Sequence, residues 1–271
     1  MLSDLSNTLQ QMTTVSLADV PLYLELCVMY MAYRLVMVHI VLKSIAKALK
    51  ISPKLEKKFI HRSFDMIHYV VGGLIGILAL TQRPYGHCFY WAKDCKDLMW
   101  QNPEGFEVTI LEKIYYFVFF VYYSTDIFFV GTTNQPFMLI IHHLVTLSEV
   151  ANCVVLQSPV VGLSVMLLHD ITDMPLYVGK VLLYCGSKVL KDYALVTFAI
   201  LCTYFRIFNY PMIVYNVFQV GWGTSIHPWI YYVEECFLVV LYMMHLIWEY
   251  KIFTNVVGVI KGEAIHDNRS D

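Results

Sequence analysis

The sequence predicts an all-α protein that crosses a membrane about seven times. Three observations lead there. Only 15% of its 271 residues are charged and 58% are hydrophobic, whereas soluble chains carry about 25% charged residues. The mean hydropathy is +0.57. The apolar residues also gather into repeated runs of roughly 20, the length a helix needs to cross a bilayer. The longest polar stretch, about 83–112, is too short for a separate soluble domain. Nothing in the charge pattern calls for a nucleic-acid partner.

Taken in order, residues 1–21 contain Asp4 and Asp19 but no Lys or Arg, so they lack the basic start of a cleaved signal peptide. The first apolar run, about 22–42, is therefore expected to remain as an anchor. Lys43, Lys47, Lys50, Lys54, Lys57, Lys58 and Arg62 follow, with Glu56 the single acid. This is the strongest charge bias in the chain, and it belongs in the cytosol. The second run, about 64–81, leads into the 83–112 loop, where Tyr85, Tyr90, Trp91, Trp100 and Phe106 suggest a segment at the membrane interface.

The third span, about 114–130, ends at Gly131, and Pro136 opens the fourth, about 137–156. Ser158-Pro159 breaks the chain before the fifth, about 160–184. A link with Lys188, Lys191 and Asp192 precedes the sixth, about 193–217. Gly221 and Gly223 mark a turn, and Pro228 opens the seventh, about 229–254. Alternation from a cytosolic 43–62 loop puts the N-terminus and the 83–112 and 218–228 loops on the far side. The polar tail then falls in the cytosol, and its sequon Asn268-Arg269-Ser270 stays unglycosylated.

Seven cysteines form no CxxC pair, so spacing supports no zinc site, and no metal is expected. Most of them lie in apolar runs as packing residues. Cys88 and Cys95 lie in the polar loop; a disulfide between them fits an oxidising lumen, and two free thiols fit equally well.

Chemistry is concentrated between His142 and Asp173. His142, His143 and Thr146 share one broad face of the fourth span, and Glu149 extends it. On the fifth, Asp170, Asp173 and Tyr177 follow at helical spacing, with His169 one residue off and Lys180 on the next turn. Each Asp at the centre of a membrane helix costs roughly 2.5–3.5 kcal/mol on the insertion scale. Two within one turn need a partner, and histidine is the natural one. A carboxylate bonded to one ring nitrogen fixes the tautomer and raises the basicity of the other. A polar network joining two helices, or a proton relay, would use the same residue types. So would a metal site, although no ligand spacing is specific to one.

The strings HHLVT at 142–146 and LLHDITD at 167–173 resemble the TLC-domain family and, within it, the ceramide synthases. There a His-His pair is followed by a motif of the form HDxxDxxLxxxK, matched here by His169, Asp170, Asp173, Leu176 and Lys180. KFIHRSFDMIHY at 58–69, Lys93-Asp94-Cys95, Arg206 with Pro211, His245, Trp248 and the closing Arg269-Ser270-Asp271 are similar as well. Phe64 stands where the family has Trp, Tyr177 where it has Glu, and Pro175 lies inside the motif.

The resemblance implies a six-helix TLC-type barrel or bundle over 58–255. An N-terminal segment, 1–57, with one further span precedes it, and a polar cytosolic tail, 256–271, follows. It implies a multi-pass endoplasmic reticulum protein that transfers a fatty acyl group from acyl-CoA, its co-substrate, to the amine of a sphingoid base. It implies no tightly bound cofactor, and it is compatible with a homo- or heterodimer. Under it, one of His142 and His143 acts as general base or as nucleophile. Asp170 and Asp173 orient and charge-stabilise it. His169, Thr146, Tyr177, Lys180 and Arg206 bind substrate, and Lys54, Lys57, Lys58 and Arg62 form a basic mouth for the CoA polyanion. The family links chain-length choice to the loop before the last span, here about 218–229. A non-catalytic TLC-domain protein in lipid sensing or membrane-protein biogenesis would not need the full His and Asp set. A seven-span receptor fits the span count alone, since Asn209-Tyr210-Pro211 is not a receptor NPxxY pattern.

Overall fold

A computed structural model describes residues 15–81, 83–99, 108–130, 136–156, 158–187, 189–220 and 228–260. The expectations resting on Asp4, Trp100, Phe106, Gly131, Lys188, Gly221, Gly223 and the tail with Asn268 lie outside these residues.

Long helices account for most of the described chain. They are α1 (Leu17–Ala48), α2 (Pro53–Leu80), α3 (Ile110–Asp126), α4 (Pro136–Val155), α5 (Pro159–Tyr184), α6 (190–220) and α7 (Pro228–Ile260). Five are long and apolar enough to cross a membrane: α1, α2, α4, α6 over Leu190–Gln219 and α7 over Trp229–Gly258. The remaining two fall short of the seven spans expected from sequence. α3 has 17 residues, and in α5 His169, Asp170 and Asp173 lower the hydropathy of the run. Both are instead inner helices. Every residue of α5 from 160 to 170 is buried, so its carboxylates face protein and not lipid, as intramembrane ionisable groups generally do.

Helices α2 to α7 close into a ring. Going round, α2 packs on α3, α3 on α4, α4 on α7, α7 on α6, α6 on α5, and α5 on α2, with α5 also touching α4. The α2–α5 and α5–α6 contacts are the most extensive. Gly76 makes the α2–α5 contact close, because a Cβ there would meet Leu167 Cδ1 at 2.8 Å and Tyr115 Cζ at 2.7 Å. α1 stands outside the ring against α3. Ion pairs near its start and at its middle hold it there: Lys113 Nζ to Asp19 Oδ1 at 2.6 Å and Arg34 Nη1 to Asp126 Oδ1 at 2.7 Å.

Two boundaries differ from the hydropathy reading. The basic 43–62 stretch is mostly helix, the end of α1 and the start of α2, because lysine and arginine are good helix formers. The reversal is confined to 49–52. Lys50 adopts a left-handed φ of 55°, and Ile51 N donates to Ala46 O while Lys50 N donates to Lys47 O, each at 3.0 Å. These bonds satisfy the last carbonyls of α1 with lysine in the place glycine usually takes. At the other boundary, α3 starts at Ile110 because Thr109 and Glu112 form a reciprocal capping box.

The loop after α2 folds back onto the ring. Tyr85 is buried and its hydroxyl donates to Glu112, which Arg83 Nε also reaches at 3.1 Å. Burial first, and the Glu112 carboxylate second, pushes the Tyr85 phenol above its ordinary pKa, which keeps it a donor. Asn209 of α6 holds the loop: its Oδ1 accepts from Ala92 N and its Nδ2 donates to Phe89 O, both at 2.7 Å. Within the loop Cys88 and Cys95 are disulfide-bonded, with Cα atoms 6.0 Å apart. Tyr90 and Trp91 are the exposed aromatics of this segment.

Candidate active site

The charged residues of α5 each meet a partner from a different helix. Asp170 Oδ2 accepts from Tyr115 of α3 at 2.8 Å. Asp173 Oδ1 lies 2.9 Å from Arg206 Nη2 of α6, and the same Nη2 donates to His169 O at 3.3 Å. Arg206 sits in a π-helical stretch, Thr203–Asn209, just before Pro211. A proline there cannot donate to the carbonyl of Ile207, and such widened turns recur at functional sites. Pro175 is accommodated within α5, which runs unbroken through it.

His169 has a defined tautomer. Its Nδ1–H donates to Val165 O at 2.7 Å, which leaves Nε2 as an acceptor for His245 Nε2–H of α7 at 3.0 Å. His142 joins this group from α4. Its ring centroid lies 5.5 Å from that of His169 and 4.9 Å, edge to face, from that of Trp248.

The second histidine of the pair turns elsewhere. His143 Nδ1–H donates to Tyr123 O at 3.2 Å, and its Nε2 lies 3.8 Å from Asp126 Oδ2. Asp126 in turn pairs with Arg34, whose guanidinium sits 3.9 Å over the Phe129 ring. Adjacent residues on a helix point about 100° apart, so one histidine meets α5 and α7 and the other meets α3, whose Asp126 pairs with Arg34 of α1.

The other predicted residues are distributed along the ring. Thr146 is fully buried, one turn from His142. Tyr177 stacks on Tyr69 at 4.8 Å, with Arg62 5.9 Å and Lys180 5.7 Å from its ring. Arg62 also pairs with Asp65 at 2.9 Å. Tyr177, Lys180 and Arg62 thus gather at one end of the bundle, whereas Arg206 is buried as the charge partner of Asp173. Glu149 continues the His142 face two turns further along α4. It packs against Cys153 and Glu234 of α7.

Sequence reasoning passed over Tyr115, Tyr123, Asp126 and Arg34 as participants. Tyr115 donates to Asp170 through its hydroxyl, and Tyr123 accepts from His143 through its backbone carbonyl. His245 and Trp248 were visible as points of resemblance, but not as neighbours of His142. An unmatched arginine in the first span was the one signal that could have found Arg34.

Residues 58–254 match the family model of the TLC domain. The chain belongs to the TLC-domain family. The matched region begins near the start of α2 and runs into α7, so the TLC domain is the ring, with α1 attached to it. Curated relatives include ceramide synthase LOH1 of Arabidopsis thaliana, 26% identical over 82% of this chain and 75% of that protein. Ceramide synthase 4 of Bos taurus is 26% identical over 81% of the chain, and ceramide synthase 5 of Homo sapiens 27% over 79%. The chain spans about half the length of these two mammalian proteins, 55% and 54%.

Proposed function

We propose that this protein transfers a fatty acyl group from acyl-CoA to the amine of a sphingoid base. The observation that carries the reading is the position of His142 beside the His169–His245 pair and Trp248, above two carboxylates whose partners leave bonding capacity unused. Asp170 Oδ1 and Thr146 Oγ1 make no hydrogen bond among the described residues. An ammonium or hydroxyl of an incoming sphingoid base can satisfy both. The kinship with ceramide synthases supports the same substrates.

Two balanced routes share this geometry. In the first, a nitrogen of His142 attacks the thioester carbon, the C–S bond breaks, and CoA leaves as a thiol or thiolate. The amine then attacks the acyl-imidazole, forming the amide and restoring the ring. In the second, His142 accepts the amine proton as nitrogen attacks the thioester directly. The buried setting excludes water, which would otherwise hydrolyse the acyl donor. Arg62 and Lys180 form the basic mouth for CoA at the cytosolic end of the bundle in the endoplasmic reticulum membrane. Lys54, Lys57 and Lys58 extend that mouth.

The test is N-acylation of sphinganine by detergent-solubilised protein. His142→Ala and Asp170→Ala are each expected to reduce the rate about 100-fold or more, the scale of a lost acid–base group. Activity surviving in both variants would remove the site from this reaction. Folded protein inactive with every acyl-CoA would favour the non-catalytic reading. Intact-mass measurement after acyl-CoA alone separates the two routes, since only the covalent one adds the mass of the acyl group.

A further inference from the structure

Two turns along α4 from His142 lies a second cluster that the acyl-transfer reading does not use. Glu149 and Cys153 on α4 face Glu234 on α7, and all three are 0% exposed. Cys153 Sγ is 3.3 Å from Glu234 Oε1 and 3.5 Å from Glu149 Oε1. One ligating atom from each residue lies within 4.8 Å of the others.

A hydrogen-bonded explanation leaves this cluster unsatisfied. A thiol has one proton and can serve one of the two carboxyls at a time. The outer oxygens, Glu149 Oε2 and Glu234 Oε2, have no hydrogen-bond partner, and no cationic side chain pairs with either group among the described residues. Two buried carboxylates without a counter-charge carry a large desolvation cost. A metal cation between them would remove that cost.

We infer that Glu149, Cys153 and Glu234 form a binding site for a divalent transition metal, with zinc the best match. Zinc bound at about 2.3 Å by thiolate sulfur and about 2.0 Å by carboxylate oxygen, at tetrahedral angles, requires S···O separations of about 3.5 Å. The two observed separations, 3.3 and 3.5 Å, lie close to that value. Thiolate ligation selects zinc over magnesium or calcium, which take all-oxygen shells. On binding, the Cys153 S–H proton is released to solvent and an S–Zn bond forms. The metal replaces mutual repulsion with a cross-link between α4 and α7 on the side of the ring away from the Arg62–Lys180 mouth. Space is kept on the α5 side by Gly162, where a Cβ would come within 3.2 Å of Cys153 Cβ and 3.5 Å of its Sγ. Sequence spacing could not show this site, because Glu234 lies 81 residues beyond Cys153.

The inference is independent of the acyl-transfer reading, and its test does not require activity. Full-length protein, purified in detergent through a histidine-free tag, is loaded with zinc, freed of excess metal and analysed by elemental mass spectrometry. A Cys88→Ser/Cys95→Ser control excludes the loop cysteines. About one zinc per chain is expected in wild type and control. At least a tenfold loss is expected in Glu149→Gln/Glu234→Gln, whose neutral, isosteric side chains preserve the packing. Cobalt loading should give a near-ultraviolet thiolate-to-metal band that Cys153→Ser loses, which keeps the test decisive even where the double variant folds poorly. Wild type that retains no zinc, or an equal zinc content in the double variant, would overturn the site. So would cobalt binding without the thiolate band.

Discussion

At the scale of single residues, the two histidines of the pair have different environments, and this separates their expected roles. His142 lies among aromatic and imidazole rings of α5 and α7, where a substrate carbonyl can be presented to it. His143 is anchored at Nδ1 by a backbone carbonyl, and its Nε2 faces an aspartate already paired with Arg34. His143→Ala is therefore expected to combine a fall in activity with a loss of stability. His142→Asn should lower the rate and leave the melting temperature near that of wild type, as a fluorescence melt in detergent would show. The Asp173–Arg206 pair makes a second residue-scale prediction. Arg206→Met strands a buried carboxylate and should destabilise by about 3–5 kcal/mol, whereas a joint Arg206→Met/Asp173→Leu change should recover most of that stability without recovering activity. A double-mutant cycle of melts and rates checks both halves.

At the scale of elements, the contact between α2 and α5 sets the position of Asp170. Gly76→Ala would push a methyl group into Leu167 and Tyr115, and Tyr115 is the residue that donates to Asp170. Overpacking of this kind costs about 1–3 kcal/mol. The rate of acylation should fall with it, while Tyr115→Phe should lower the rate with little change in fold. A destabilised but fully active Gly76→Ala protein would show that Asp170 does not depend on this contact. The turn after α1 gives an opposite prediction. Lys50 holds a left-handed conformation that costs an L-residue about 1–2 kcal/mol. Lys50→Gly should raise stability by about 1 kcal/mol, read as a higher melting temperature.

At the scale of the whole molecule, the ring is closed by α5, and the loop carrying the Cys88–Cys95 disulfide is bound to α6 through Asn209. Alkylation of denatured, unreduced protein should modify Cys27, Cys153, Cys185, Cys202 and Cys236, and reduction should add Cys88 and Cys95. Modification of all seven without reductant would place that loop in a reducing compartment. Orientation has its own measurement. With the tail in the cytosol, Asn268 remains unglycosylated in a glycosylating cell, and a glycan there would invert the topology.

Much of this was legible from one dimension. The order of the helices follows from the apolar runs, though two of the seven expected spans, α3 and α5, fall short in length or hydropathy, and the helix starts at Pro136, Pro159 and Pro228 follow from proline at a first turn. His142, His143, His169, Asp170 and Asp173 stood out because charge is expensive in an apolar run. Other features depend on residues far apart in sequence. That neighbouring helices shelter α3 and α5, that Arg206 answers Asp173, that Tyr115 answers Asp170 and that Glu234 meets Cys153 are all facts of long-range packing. Sequence alone determined which groups had to be compensated, because the cost of burying a charge is a local property. Only the tertiary structure decided what compensates them, because a partner need satisfy only distance and geometry and leaves no local pattern around itself.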